Sequence, residues 1–90
     1  MAIAVYIRLD GMTGAQYDEV HRVLTEAGHI NPAGRLHHSC FGEDGSLAVY
    51  NIWESQEAFD AFGPILGPVL EQVGVKMAAP PDILPLYAMD

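Results

Sequence analysis

Basic residues are scarce. Four Lys and Arg stand against twelve Asp and Glu, for a formal net charge of −8. A nucleic-acid-binding face needs cations to neutralise phosphates, and this chain has too few to build one. An anionic membrane surface is disfavoured on the same ground. The acidity reads as a solvated surface. Cysteine is scarcer still: Cys40 is alone, which excludes an intrachain disulfide. No apolar run is long enough to span a bilayer. The stretch from Met1 to Asp10 is apolar, but too short and too poor in basic residues for a signal peptide. A cytoplasmic protein is therefore expected. Metal-ligand spacings and phosphate-binding glycine loops are missing too, so neither metal nor cofactor is expected.

Apolar residues are plentiful. Half of the ninety residues are hydrophobic, enough for the core of one domain over residues 1–90 and too many for a disordered chain. A chain of this size buries a modest fraction of its surface, and self-association would add to it.

Residues 2–9 are β-branched or aromatic-rich and apolar on both alternating faces except at Arg8. That pattern predicts a central strand. Thr13-Gly14-Ala15-Gln16 fits a capping box, and a helix follows to about Ala27. Tyr17, Val20, His21, Leu24 and Ala27 fall on one stripe of it. Gly28 is a natural stop.

The most informative stretch runs from Gly34 to Ser55. It reads as a β-hairpin with Asp44-Gly45 at its tip, leading directly into a second helix. Asp-Gly supports the positive φ values of a type I′ turn. That turn would set Cys40 opposite Val49, His38 opposite Asn51 and Leu36 opposite Trp53. Ser55 caps the second helix, whose apolar face is Phe59, Phe62, Leu66, Val69, Leu70 and Val73. Gly63-Pro64 and Gly67-Pro68 interrupt it, and Pro68 is expected to kink or loosen it. After a stiff Ala-Ala-Pro-Pro linker, residues 82–87 predict a last strand. Pro85 confines that strand to a sheet edge or a bulge.

The order strand–helix–strand–strand–helix–strand predicts a ferredoxin-like βαββαβ fold of the α+β class. It would have an antiparallel four-stranded sheet with two helices on one face. The other face would show apolar residues to water, and a second copy packing sheet to sheet would cover it.

Two histidines adjacent on a strand point to opposite faces, so His37 and His38 cannot share a metal within one strand. His38 goes with Leu36, Cys40, Asn51 and Trp53. His37 goes with Arg35, Ser39, Tyr50 and Ile52. Arg8 either pairs with an acidic residue at the strand end or meets an anionic substrate. Cys40 and His38 lie two apart, roughly 6–7 Å, too far for a thiol–base pair without bending. Cys40 reads as a small buried hydrophobe.

The element order, the two-sided apolar strands and the segment Ile52-Trp53-Glu54-Ser55-Gln56-Glu57-Ala58-Phe59 resemble dimeric α+β-barrel proteins, in particular the antibiotic-biosynthesis-monooxygenase-like domains. The resemblance implies a homodimer whose two sheets form a barrel, with a small-molecule cavity in each subunit between sheet and helices. Some members oxidise polycyclic phenols without metal or flavin; relatives cyclise or isomerise metabolites, or degrade haem. Haem-degrading relatives use a histidine on the second helix, and residues 55–73 contain none.

With the Trp53 face toward the helices, His38 and Asn51 enter the cavity. His38 is then the candidate acid–base group and Asn51 the polar anchor for a developing oxyanion. Trp53 is the candidate apolar wall. The alternative is a buried His–Asn hydrogen bond that only satisfies two polar groups. Tyr17 and His21 could close the cavity from the first helix, with His21 a second acid or base; alternatively Tyr17 is core and His21 a wet border. The sequence thus points to a cofactor-free enzyme, monooxygenase-like or a cyclase or isomerase, acting on a small apolar or aromatic metabolite. A non-catalytic small-molecule-binding or structural dimer is the alternative.

Overall fold

The computed structural model describes residues 1–89. Six elements follow one another: β1 Ile3–Arg8, α1 Gly14–Glu26, β2 Arg35–Phe41, β3 Ala48–Trp53, α2 Gln56–Val73 and β4 Asp82–Pro85. The four strands form one antiparallel sheet in the order β2-β3-β1-β4. This is the expected ferredoxin-like arrangement.

Both helices cover one face. Ile3, Val5 and Ile7 of β1 point into it and are buried with Val49 and Trp53 of β3. Val20 and Leu24 of α1 and Phe62 and Leu70 of α2 close the core from above. The deepest side chains are Trp53, Met12 and Val5.

The caps form as the sequence dictates. Gln16 N–H donates to Thr13 Oγ1 at 3.1 Å, and Thr13 N–H donates to Gln16 Oε1 at 3.0 Å. Ser55 Oγ accepts from Ala58 N–H at 3.1 Å, and Gly74 ends α2 in the left-handed region.

Helix α2 departs from expectation. It runs unbroken through Pro64 and Pro68. Each proline follows a glycine, which has no Cβ to crowd the pyrrolidine ring. Both prolines are exposed, on the side of the helix where carbonyls without a helical partner can be hydrated. The last strand is shorter than expected and ends at Pro85, on the sheet edge as proline requires.

The hairpin has the expected pairing at its centre: His38 lies opposite Asn51 and Cys40 opposite Val49. Two details differ. Ser46 N–H donates to Glu43 carbonyl at 2.8 Å, closing a two-residue loop. Among the described residues only glycines have positive φ, so Asp44 does not, and the turn is not type I′. Gly45 at φ 90° supplies the reversal alone. At the far end of β2 the register shifts between Arg35 and His37. Arg35, not Leu36, lies opposite Trp53. The extra residue at this bulge reverses the alternation beyond it. Leu36 is exposed, and Arg35 turns to the helix side.

The same hairpin is tied to the start of α1. Met12 carbonyl accepts from Gly45 and Leu47 N–H at 3.1 and 3.2 Å, and Asp44 Oδ1 accepts from Gly14 N–H at 2.8 Å. These bonds fix where Tyr17 stands relative to β2.

Candidate active site

Between the sheet and the two helices lies a cavity of about 70 Å³. Its walls are mostly apolar: Met12, Val20, Leu24, Ile30, Phe62, Leu66 and Leu70 among them. Tyr17, His21, Arg35, His38 and Asn51 supply the polar groups.

His38 and Asn51 enter from adjacent strands because the hairpin register sets them opposite each other. Tyr17 enters from the first turn of α1. The three make a chain. Tyr17 Oη lies 2.8 Å from His38 Nε2, and His38 Nδ1 lies 2.6 Å from Asn51 Oδ1. An amide oxygen only accepts, so Nδ1 carries the imidazole proton. Nε2 then holds the lone pair and accepts from the Tyr17 hydroxyl. The phenol and imidazole planes differ by 8°, as an in-plane acceptor lone pair favours.

Burial pushes the His38 pKa down. The Asn51 hydrogen bond opposes that shift, and the positive charges of Arg35, His21 and His37 reinforce it. The imidazole is therefore neutral at neutral pH and can take up a proton. Burial pushes the Tyr17 pKa up, with Cys40 and Asp18 adding to it and Arg35 opposing it. The phenol stays protonated as a donor. Cys40 is raised by burial and by Asp18, which keeps it a thiol. It packs against the core, as a small hydrophobe does.

Four of the five site residues expected from sequence, Tyr17, His21, His38 and Asn51, line this one cavity. His21 sits at the exposed rim, its ring 6.0 Å from that of Tyr17. Trp53 is placed elsewhere. It is 1 % exposed and packs edge-on to Phe59 at 5.7 Å and tilted on Phe62 at 5.5 Å. Its Nε1 is buried without a hydrogen-bond partner. Trp53 thus supports Phe62, and it is Phe62 that faces the cavity.

Sequence reasoning missed Arg35. Strict alternation put it on the opposite face with His37; the bulge at Leu36 brings it to the cavity. Its Nη2 donates to Ile30 carbonyl at 2.7 Å. His37 stays on the open face, 3.1 Å from Ser39 Oγ and beside the Tyr50 ring. Arg8 pairs with Asp82 at 2.9 Å, at the strand end. No cluster of metal-ligating side chains exists among the described residues, and no described helix is long and apolar enough to cross a membrane.

No family profile and no curated protein matches the sequence. Solved structures do match over nearly the whole chain. SnoaB, a cofactor-independent oxygenase from Streptomyces nogalater, is 16% identical with a TM-score of 0.70, over 98% of this chain and 95% of that one. The chain shares its fold with this oxygenase and with proteins described as antibiotic biosynthesis monooxygenases. A putative antibiotic biosynthesis monooxygenase from Chloroflexus aurantiacus J-10-fl is 15% identical with a TM-score of 0.64, over 98% of this chain and 97% of that one. Another, from Caulobacter crescentus CB15, is 22% identical with a TM-score of 0.56, over 99% and 91%. At these identities the likeness is one of fold.

Proposed function

We propose that the ninety residues act as one cytoplasmic domain, a cofactor-free enzyme that removes a proton from a small, mostly apolar or aromatic metabolite. The carrying observation is the Tyr17–His38–Asn51 chain at the wall of an apolar cavity. His38 is the base. The substrate proton reaches Nε2 either directly, once the Tyr17 hydroxyl has swung away, or through that hydroxyl. In the second route Tyr17 gives its own proton to Nε2 as it takes the substrate's. Asn51 keeps Nδ1 protonated and so aims Nε2 into the cavity. A deprotonated, electron-rich ring can react with dioxygen directly, the monooxygenase-like outcome. The same abstraction without oxygen leads to isomerisation or cyclisation.

At about 70 Å³ the cavity is smaller than an apolar cavity of roughly 150 Å³ that binds benzene. Substrate entry therefore pushes walls apart. Phe62 also lines a neighbouring groove of about 300 Å³ beside residues 28–33, and its displacement would join the two spaces.

The test is a panel of phenols and activated carbon acids, with His38→Ala as control. Turnover by the wild type, lost in His38→Ala at an unchanged circular-dichroism spectrum, is the expected result. Full activity in His38→Ala would remove the base. A second reading, binding without turnover, is favoured by one observation: both imidazole nitrogens are already satisfied by protein groups. Under it, ligands raise the melting temperature and are recovered unchanged.

A further inference from the structure

The proton-transfer scheme leaves two polar groups of the cavity unused, His21 at the exposed rim and Arg35 in the wall, and Arg35 alone of the two carries a fixed charge. The chain has four Lys and Arg among twelve Asp and Glu, so an arginine without a carboxylate partner is conspicuous. Arg8 pairs with Asp82, and Arg22 pairs with Glu19 and Glu26, all on the surface. Among the described residues Arg35 pairs with no carboxylate. Its one side-chain hydrogen bond among the described residues, from Nη2 to Ile30 carbonyl, leaves the rest of the five guanidinium donors unused.

The guanidinium is also half-buried, facing apolar walls. A cation withdrawn from water without an anion costs free energy. The fold holds it there through a specific device, a bulge at Leu36, two residues after Gly34. Gly34 has φ 87°, and a Cβ on it would come within 2.7 Å of Ala58 Cβ. The turn into β2 is thus pressed against α2, and Arg35 follows from it.

We infer that the cavity takes an organic acid, with Arg35 gripping the ligand's carboxylate as a fork while the apolar remainder lies against Phe62, Leu66 and Leu70. The guanidinium geometry matches a planar carboxylate through two parallel hydrogen bonds, which a single point charge cannot do. Gripping one end fixes where the other end meets Tyr17 and His38. This inference rests on reading the cavity as a ligand site, and it adds the class of ligand.

The test uses matched pairs that differ only in charge: 4-hydroxybenzoate with 4-hydroxybenzamide, and phenylacetate with phenylacetamide. Binding is followed by the NMR shifts of the His38 and Tyr17 ring protons during titration. The acid should bind the wild type at least about tenfold more tightly than the amide, the gain of a charge-assisted pair. Arg35→Gln keeps a donor for Ile30 carbonyl and should bring the acid down to the amide's affinity, leaving the amide unchanged. Arg35→Lys should restore only part of the difference. A structural role for Arg35 would weaken acid and amide alike. Equal affinity of acid and amide for the wild type, or undiminished acid binding by Arg35→Gln, overturns the inference while leaving a ligand site in place. If neither member of either pair moves the His38 and Tyr17 resonances, the ligand-site reading fails and this inference falls with it.

Discussion

At the scale of single residues, His38 governs behaviour with pH. Burial holds its pKa below the ordinary value of about 6.5. As pH falls through that value, the unfolded chain gains a proton and the folded chain does not. Stability from this site is therefore full above about pH 6.5 and is lost as pH falls from there toward the folded-state pKa. His38→Gln removes this dependence. The stability of wild type relative to His38→Gln should shrink between about pH 7.5 and about pH 5.5 in denaturant melts; a margin that grows on acidification would contradict the buried neutral imidazole. The proposed activity, which needs the neutral His38 base, should have an acid limb with its midpoint below about 6.5. Asn51→Asp places a carboxylate against Nδ1, favours the imidazolium and should move that limb to higher pH, by roughly one unit or more. This part of the site was legible in the sequence. A polar pair two-fold alternation apart from a turn defines its own partner, so His38 and Asn51 follow from Asp44-Gly45 and from the count of residues between. The partnership with Tyr17 was not. Nothing in strand alternation says which helix residue stands over Nε2; that depends on Met12 and Asp44 binding the hairpin tip to the start of α1.

At the scale of elements, α2 and the β2 bulge carry the two lessons. The apolar period of α2 was visible as Phe59, Phe62, Leu66 and Leu70. Its continuity was not, because a proline's cost depends on what surrounds it. Here both prolines lie on the wet side and glycines precede them. The cost is still present in the stability. Pro68→Ala should restore a helical hydrogen bond and raise stability by about 1–3 kcal/mol. A Cβ at Gly67 would meet nothing within 4 Å, so Gly67→Ala should add the ordinary 0.5–1 kcal/mol, roughly, of a helical glycine replacement. That gain should appear only in the Pro68→Ala background, since with proline following, the new methyl crowds the ring. Chemical denaturation of the two single variants and the double variant checks the coupling. Additive gains would mean that the Gly-Pro pairing has no steric logic. The bulge at Leu36 left no signal at all in the alternation pattern. Arg35-Leu36-His37-His38 alternates equally well in either phase, and the choice is made by Gly34 packing on Ala58, two elements away in the chain.

At the scale of the whole molecule, the open face of the sheet is the surface that a partner would cover. Tyr6, Tyr50 and Phe41 lie on it, with Tyr6 directly opposite Tyr50 and its ring 5.9 Å from that of Phe41. Leu84 on the edge strand lies opposite Ala4 and is 64 % exposed, and Phe41 is 44 % exposed. No described helix covers this side. A chain of ninety residues buries only a little over 60% of its unfolded surface, roughly, so an uncovered aromatic sheet face is a large fraction of the apolar area still available. The element order alone implies this, because both crossover helices of a βαββαβ chain fall on one side. We propose a homodimer that packs these faces together. Sedimentation velocity at micromolar concentration should then give a dimer, and the melting temperature should rise with protein concentration, since association stabilises by mass action. Phe41→Asp and Leu84→Lys each put a charge where the partner would bury it. Both side chains are exposed in the single subunit, so neither variant should unfold it. Each should sediment as a monomer and melt at a temperature independent of concentration. A wild-type chain that sediments as a monomer would leave the Tyr6–Phe41–Tyr50 face without a partner and end the dimer proposal. The Tyr17–His38–Asn51 chain would survive that outcome, because all of its members come from one subunit and face the helices.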